Sequence, residues 1–284
     1  MIPAAFDYTV PGSVADAITA LGSDSEEIKV LAGGQSLIPV LRLRLAAPTL
    51  LVDIGRIPEL HGITDEGDAL VIGAMTTHAE VADSDLVKEH AGLLAKATET
   101  VADPQVRHRG TLGGALVHAD PAGDLPAPIL ALDAELVIAG SEGERTVPAA
   151  NFFQDMFTTT VGEQEILTKV RIPKHTGWGS HYEKFTRVAQ QWSIVAVAVT
   201  VELDGGSISA AKVALTNMGS TPIRATAVEQ ALIGQAATGD AVRQAAASAA
   251  EGTNPPTDTN GDAPYRRHLA AVLTGRAVLA AAGR

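Results

Sequence analysis

Two pairs of adjacent glycines stand in similar local sequences in this 284-residue chain. The first glycine stretch consists of Ala32, Gly33, Gly34, Gln35 and Ser36, and the second consists of Thr111, Leu112, Gly113, Gly114 and Ala115. A glycine has no Cβ, so its backbone can adopt positive φ and approach a ligand closely. Amide N–H groups exposed at such a turn attract anions, phosphates in particular. The hydroxyls of Ser36 and Thr111 add a hydrogen-bonding group to each stretch, or a cap for the turn that follows.

The two stretches together would suit a diphosphate, which needs more N–H donors than one turn supplies. Two unrelated tight turns explain the glycines equally well, so the spacing alone leaves the choice open. The sequence contains neither G-x-x-x-x-G-K-[ST] nor G-x-G-x-x-G, the phosphate-loop and dinucleotide patterns.

His118, Asp120 and Asp124 lack the spacing of a known metal site, so no metal is expected.

The first glycine stretch lies between two apolar segments. Residues 28–31 read as a buried strand, and residues 37–41 as the start of a helical turn. A helix that begins after Ser13, with Asp16 in a capping arrangement, precedes them, and a second strand at 49–54 follows. This strand–turn–helix–strand unit places the glycines at the carboxyl end of a strand, where ligands commonly bind in open α/β sheets.

The rest of the chain divides into two patterns. Up to residue 173, strands are predicted at 69–73, 135–139 and 166–172, and helices at 79–87, 92–101 and 127–132. After 173–179, strands are predicted at 182–188, 193–203 and 208–217, followed by helices at 225–233, 241–250 and 265–282. Strands followed by helices predict a small α+β domain with its helices on one face. Trp192 is assigned to the core or edge of this domain, with a position that covers a cofactor or the interface as the alternative. Arg266 and Arg267 either pair with acids of a partner or are solvated.

Composition excludes several classes of protein. Lysine and arginine number 21 against 33 acidic residues, a net charge of −12, which argues against nucleic acids and anionic membranes as partners. The absence of cysteine excludes disulfides, thiol nucleophiles and cysteine-ligated iron–sulfur clusters within the chain. No apolar run reaches the roughly 18–20 residues of a membrane helix, and the first residues lack a basic signal-peptide region. A soluble cytoplasmic protein is therefore expected.

Residues around the glycines resemble those of a known family. The sequence is similar to the FAD-binding medium subunit of molybdenum hydroxylases, the group that contains aerobic carbon monoxide dehydrogenase and xanthine dehydrogenase. The first glycine stretch matches the first FAD diphosphate loop of that family, residues 103–115 match the second loop, and residues 118–124 continue the signature. Residues 165–173, 182–185 and 265–269 also match, so the resemblance covers essentially the whole chain.

The resemblance implies a fold and a set of site residues. The fold is α+β: a two-lobed vanillyl-alcohol-oxidase-type (PCMH) FAD-binding domain with lobes at 1–56 and 57–174, then a carbon monoxide dehydrogenase flavoprotein-like C-terminal domain at 175–284, with a three-stranded antiparallel sheet and helices. The backbones of both glycine stretches hold the FAD diphosphate, Asp124 contacts the cofactor, and Leu167 and Lys184 lie near the flavin. Without the resemblance, Lys184 reads as a solvent-facing lysine and Asp124 as a helix cap. No side chain is expected to act as a catalytic base.

The function implied by the resemblance is electron transfer by an oxidoreductase subunit. FAD would take electrons from a small iron–sulfur subunit carrying the [2Fe–2S] clusters and pass them to an external acceptor. A large subunit would carry the molybdenum cofactor, and the complex would be a dimer of heterotrimers, a heterohexamer. A carbon monoxide dehydrogenase-type enzyme is favoured; a xanthine, nicotinate or aldehyde oxidising relative, a stand-alone flavin oxidase and a scaffold without FAD are the alternatives. Two residues depart from the family pattern: Ala115 replaces Asn or Ser, and Gln35 replaces the His of some carbon monoxide dehydrogenases.

Overall fold

The chain begins with a small parallel sheet, in a computed structural model that describes residues 2–24 and 27–284. Its elements are β1 (Asp7–Thr9), α1 (Val14–Leu21), β2 (Ile28–Leu31), α2 (Leu37–Leu43) and β3 (Leu50–Asp53), with strand order β1-β3-β2. Ser13 caps α1 by accepting a hydrogen bond from the Asp16 amide at 3.1 Å. The first glycine stretch connects β2 to α2, so the predicted strand–turn–helix–strand unit is confirmed.

A five-stranded antiparallel sheet forms the centre of the molecule, in the order β4-β5-β10-β6-β7. After a short 3-10 turn at Pro58–Leu60, the elements are β4 (Ile63–Asp65), β5 (Ala69–Gly73), α3 (His78–Asp83), α4 (Asp85–His90), α5 (Gly92–Glu99), α6 (Pro104–Arg107), α7 (Leu112–His118), α8 (Pro126–Ala131), β6 (Glu135–Gly140), β7 (Gly143–Pro148), α9 (Ala149–Phe152), β8 (Phe153–Asp155), β9 (Thr158–Thr159) and β10 (Ile166–Pro173). The single helix predicted at 79–87 is wrong, because Ser84 leaves helical geometry and caps α4 instead.

The last part of the chain forms a second antiparallel sheet. Its elements are β11 (Gly179–Phe185), β12 (Val195–Asp204), β13 (Ser207–Thr216), β14 (Ile223–Arg224), α10 (Thr226–Leu232), α11 (Gly239–Ala246) and α12 (Ala263–Ala281). The three predicted strands are present, and the two-residue β14 adds a fourth beside β13 that the sequence pattern did not indicate. The α+β fold class is confirmed.

The strand β12 is apolar along most of its length because both of its faces are covered. Ala196 and Ala198 belong to a core shared with the central sheet and its helices α5 and α8. Val197 and Val199 belong to a separate core with α12. The small side chains therefore lie on the face that meets the rest of the molecule, and this close contact fixes the C-terminal sheet against the central helices.

The structure contradicts a core position for Trp192 and the assignment of Arg266 to a partner or to solvent. Trp192 is 64% exposed, because it lies in the connection between β11 and β12, outside the packed sheet. Arg266 is fully buried and faces neither a partner nor solvent. Its guanidinium donates to the Asp258 carboxylate at 2.8 Å and to the backbone carbonyl of Ile194, so it ties α12 to the loops on either side.

Ala198→Val is expected to destabilise the protein by about 1–3 kcal/mol, because added methyl groups overpack the contact between β12 and the helices α5 and α8. Ala210→Val, on the half-buried edge of the same sheet, is the matched control and is expected to change the free energy of unfolding by about 0.5 kcal/mol or less. Urea unfolding of the two variants measures the difference. Equal free energies would show that β12 does not pack tightly on this face.

Candidate functional site

A cavity of about 390 Å³ lies where the N-terminal sheet meets the central sheet. Ten of the predicted site residues line it: Ala32, Gly33, Gly34, Gln35, Ser36, Thr111, Gly113, Gly114, Ala115 and Leu167. Leu112 is fully buried in the central core instead. Asp124 and Lys184 are not among the residues that line this cavity. The fold thus brings the two glycine stretches, about 80 residues apart in sequence, to one cavity whose volume lies in the range of small-molecule sites.

The two parts of the molecule approach each other at Gly33. A Cβ at this position would lie 2.3 Å from the carbonyl oxygen of Arg109 and 2.8 Å from the Cα of Gly110. Those atoms are backbone, which cannot swing aside as a flexible side chain would. A Cβ at Gly114 would lie 3.4 Å from the Cβ of Ala32. Gly33 is therefore required for the contact between the two parts, whereas the short contact of a Cβ at Gly114 would be with the Thr111 hydroxyl oxygen at 2.7 Å.

The second glycine stretch is held by the segment that follows β5. Thr77 pairs with Thr111 in an isolated bridge, the Leu112 amide donates to the Thr76 carbonyl at 3.0 Å, and the Gly113 amide donates to the Ala74 carbonyl at 2.8 Å. The Gly114 amide donates to the hydroxyl of Thr111 at 3.2 Å, which caps α7. The amides of residues 112–114 thus already have acceptors within the protein.

The first glycine stretch differs in this respect. Gly34 has a backbone φ of 75°, a conformation that residues with a Cβ rarely adopt. Within the part of the chain that the structure describes, the amides of residues 33–36 donate to no protein acceptor. The side chain of Gln35 donates to the Gly33 carbonyl at 3.2 Å, and Ser36 makes no capping bond to α2. Free donors beside the cavity are therefore concentrated in this stretch.

Leu167 reaches the cavity from β10. Ile166 also lines it, although consecutive strand residues normally point to opposite faces. A β-bulge between Leu167 and Lys169 interrupts the alternation where β10 pairs with β6. Bulges commonly re-aim side chains beside functional sites.

Several cavity residues carry no motif and were not predicted from the sequence: Lys29, Ile54, Met75, His78 and Glu165. Glu165 is held by Arg145 through two contacts of 2.8 and 2.6 Å, and this interaction lowers the pKa of the Glu165 carboxyl. His78 comes to the cavity through its amide, which donates to the Gly110 carbonyl at 2.8 Å. Because that contact spans more than 30 residues of sequence, no local pattern could have indicated it.

His78 is the most unusual of these residues. Its side chain is only 4% exposed, its Nδ1 is buried without a hydrogen-bond partner, and no described residue hydrogen-bonds its Nε2. Burial, with a smaller contribution from the charge of Arg107, lowers the pKa of the imidazole to about 4. The ring is therefore neutral at pH 7, and a neutral imidazole has one donor and one acceptor to satisfy.

Asp124 and Lys184 form a separate buried cluster between the central part and β11. The Asp124 carboxylate accepts from Lys184 Nζ at 2.7 Å, from the Tyr182 hydroxyl at 2.9 Å and from the Ser193 hydroxyl at 3.2 Å. Lys184 Nζ also donates to the Thr100 carbonyl at 3.1 Å. Burial raises the pKa of Asp124, opposed by the Lys184 ammonium and the two hydroxyls. Asp124 is not a helix cap, since Leu125 occupies that position in α8.

Neither a metal site nor a membrane span is found in the described chain. No group of three or more metal-ligating side chains occurs in residues 2–24 and 27–284. Over the same residues, no helix has both the length and the hydropathy needed to cross a bilayer.

Comparison with known proteins gives the cavity its context. A family described as the FAD binding domain in molybdopterin dehydrogenase matches residues 4–175, more than half of the chain. The chain belongs to this family. The CO dehydrogenase flavoprotein C-terminal domain matches residues 180–281. The chain is therefore an FAD-binding flavoprotein of the molybdenum hydroxylase oxidoreductases, and the family resemblance read from the sequence is confirmed.

Relatives of this flavoprotein match it over their whole length. The carbon monoxide dehydrogenase medium chain of Hydrogenophaga pseudoflava is 42% identical over 100% of this chain and 99% of that relative. The glyceraldehyde dehydrogenase medium chain of Sulfolobus acidocaldarius is 36% identical over 98% of each. A solved carbon monoxide dehydrogenase from H. pseudoflava that lacks the Mo-pyranopterin moiety contains a chain 44% identical, with TM-score 0.95, covering 99% of this chain and 98% of that one.

Gly33→Ala is expected to destabilise the flavoprotein by about 1–3 kcal/mol, because its Cβ forces the first glycine stretch away from the Arg109 carbonyl. Gly12→Ala is the matched control, since a Cβ there meets nothing within 4 Å. Thermal unfolding compares the two variants, and hydrogen exchange locates the change, which is expected in residues 32–36 and 109–114. A Gly33→Ala protein as stable and protected as Gly12→Ala would contradict the close approach.

The stability of the apoprotein is expected to fall as the pH is lowered from 6.5 to 4. In this range an unfolded histidine binds a proton and His78 in the fold does not, so protons favour the unfolded chain. A pKa difference of one pH unit corresponds to about 1.4 kcal/mol, so His78 accounts for roughly 3 kcal/mol of the loss. His78→Gln removes this contribution and should flatten the profile measured by urea unfolding at several pH values. Parallel profiles for both proteins would mean that His78 titrates normally.

Proposed function

We propose that this chain is the FAD-carrying electron-transfer subunit of a molybdenum hydroxylase. It would take electrons from an iron–sulfur subunit and pass them to an external acceptor, in an enzyme of the carbon monoxide dehydrogenase type. The observation that carries the proposal is the cavity bounded by both glycine stretches, in a chain that matches medium subunits end to end. The absence of cysteine supports the division of labour, because iron–sulfur clusters would have to reside in another chain.

The residues present fit FAD. The first stretch offers amides without protein acceptors, as an anionic diphosphate requires, and positions where a Cβ would fill the gap between the stretches are glycine. Buried apolar residues, among them Met75, Ile166 and Leu167, supply surface for a planar ring. When bound, FAD supplies the redox centre that accepts two electrons and passes them on.

The two glycine stretches would contribute unequally to FAD binding. The free amides of residues 33–36 would hydrogen-bond the diphosphate, whereas the amides of residues 112–114 are engaged within the protein. The second stretch would therefore act through the clearance at Gly114 and through the hydroxyl of Thr111, whereas a Cβ at Gly113 would meet Ala74 of the central segment. Ala115 would cost little in this arrangement, because the donors that matter most belong to the first stretch.

Asp124 and Lys184 would act near the flavin as a pair. Lys184 Nζ has three N–H donors, of which two are used by Asp124 and Thr100, so one remains for a ligand. Because their side chains are only 9% and 11% exposed, any ligand would meet them in a largely desolvated site. Leu167 would contact the ring from the cavity side, and no side chain would act as a catalytic base.

The division of the chain belongs to the same proposal. Residues 1–56 and 57–174 would form the two lobes of the FAD domain, and residues 175–284 the C-terminal domain. Each of the three segments contains its own sheet in the described residues, which supports the division.

Gly114→Leu is expected to lower FAD affinity at least tenfold, because its side chain enters the gap between Thr111 and Ala32. The purified full chain is titrated with FAD, and binding is followed by visible absorbance and flavin fluorescence. Gly12→Leu, outside the cavity, is the control and should bind as the parent does. A parent chain that binds no added FAD would overturn the proposed function, and full binding by Gly114→Leu would overturn the role of the second stretch.

Co-expression with the molybdenum and iron–sulfur subunits of the same host is expected to yield a dimer of heterotrimers. In that complex, carbon monoxide should bleach the flavin absorbance under anaerobic conditions, and the isolated chain should show no bleaching. Bleaching by an aldehyde or a purine but not by carbon monoxide would assign the enzyme to another branch of the family. Substrate oxidation by the isolated chain would favour a stand-alone oxidase.

A further inference from the structure

His78 lies at the glycine cavity, and none of the described residues hydrogen-bonds its ring. The side chain is 4% exposed, Nδ1 is buried without a partner, and no described residue bonds Nε2. An unpaired polar group in a protein interior costs about 1–3 kcal/mol, so such groups normally have a partner in the functional state. The sequence around His78 belongs to no motif, and neither the family match nor the glycine pattern assigns it a role.

The backbone around His78 places the ring beside both glycine stretches. A Cβ on Gly110 would lie 2.7 Å from Cδ2 and 2.9 Å from Nε2 of His78, and the Cα of Gly110 is the atom that a Cβ on Gly33 would meet at 2.8 Å. The Gly110 carbonyl accepts from the His78 amide at 2.8 Å, so this bond holds the backbone of His78 beside Gly110. His78 is also the first residue of α3, whose capping box formed by Thr77 and Glu80 fixes the helix start.

Charge decides what kind of group the ring can bind. Burial and the neighbouring Arg107 keep the imidazole uncharged at neutral pH. The other charged or titratable groups that line the cavity are Lys29, His118 and Glu165. A neutral imidazole matches a hydroxyl, which like the ring both donates and accepts. The diphosphate itself would be served by the free amides of the first stretch, and in FAD a sugar adjoins each end of the diphosphate.

We propose that His78 is a cofactor-binding residue that hydrogen-bonds a sugar hydroxyl adjoining the diphosphate of FAD. The inference rests on the proposed function, since it takes FAD as the ligand of the cavity. His78 would orient the cofactor through its ring nitrogens, while the first glycine stretch supplies the diphosphate contacts. The imidazole would stay neutral in the complex, so binding would take up no proton at this residue.

Titration calorimetry with FAD on the full chain tests the role. His78→Leu is expected to weaken FAD binding about tenfold, and His78→Gln, which keeps a donor and an acceptor, is expected to recover most of it. His90→Leu is the matched control: His90 is another buried histidine of the same region, but its Nδ1 lies 2.7 Å from the Thr176 hydroxyl. That variant should lose stability yet bind FAD within about threefold of the parent.

A second measurement keeps the proposal testable if His78→Leu does not fold. In protein labelled with ¹⁵N-histidine, FAD is expected to shift the ring nitrogens of His78 and leave those of His90 unchanged, with His78 neutral before and after binding. The FAD dissociation constant is also expected to stay constant between pH 5.5 and 8. Unshifted His78 nitrogens, equal affinity of parent and His78→Leu, or binding that tightens as His78 takes up a proton would each overturn the inference. A parent chain without FAD affinity would instead overturn the proposed function.

Discussion

The close approach of two backbones at Gly33 is the constraint on which the rest of the site depends. The peptide of Arg109 and Gly110 lies where a side chain at residue 33 would begin, so the N-terminal sheet and the central sheet can meet only through a glycine. Gly33 and Gly110, on the two sides of that contact, both line the cavity. In the described chain, amides without protein acceptors and the buried, unpaired ring of His78 lie at the same cavity. A site of this kind is stabilised fully only when a ligand satisfies the groups that the fold leaves unpaired.

The central segment carries this contact because it is tied to itself across a long sequence distance. The residues after β5 bond the residues before and within α7, through the pairing of Thr77 with Thr111 and the bonds to Thr76 and Ala74. The amides of the second glycine stretch are used in those bonds. In the described chain, the amides of the second glycine stretch are therefore engaged within the protein, and those of the first are free to donate, although the two sequences are similar.

The C-terminal sheet supports the central helices from the other side. Alanines of β12 allow close packing against α5 and α8, and valines on the opposite face pack on α12. At the edge of this contact, Lys184, Tyr182 and Ser193 all donate to Asp124, which follows α7 in the chain. A buried carboxylate with two donors from β11 and one from the connection between β11 and β12 stabilises their relative position, since the loss of Lys184 would leave the carboxylate charge buried without compensation. Residues 111–124 thus connect the glycine cavity to the Asp124 cluster.

The sequence by itself determined the local structure and the family. Ser13 and the apolar runs around the first glycine stretch specify their helix and strands through capping and periodicity, which depend on near neighbours only. The family resemblance carried by the two glycine stretches and the residues that continue them indicated FAD as the cofactor. The tertiary structure alone decided which groups are free. Nothing in the sequence distinguished the donors of residues 33–36 from the engaged amides of 112–114. The sequence also did not indicate that Trp192 is exposed, that Arg266 is buried or that His78 lies at the cavity. Each of these depends on contacts between segments far apart in the chain, where hydrogen bonding and burial are set by the packed fold and leave no local pattern.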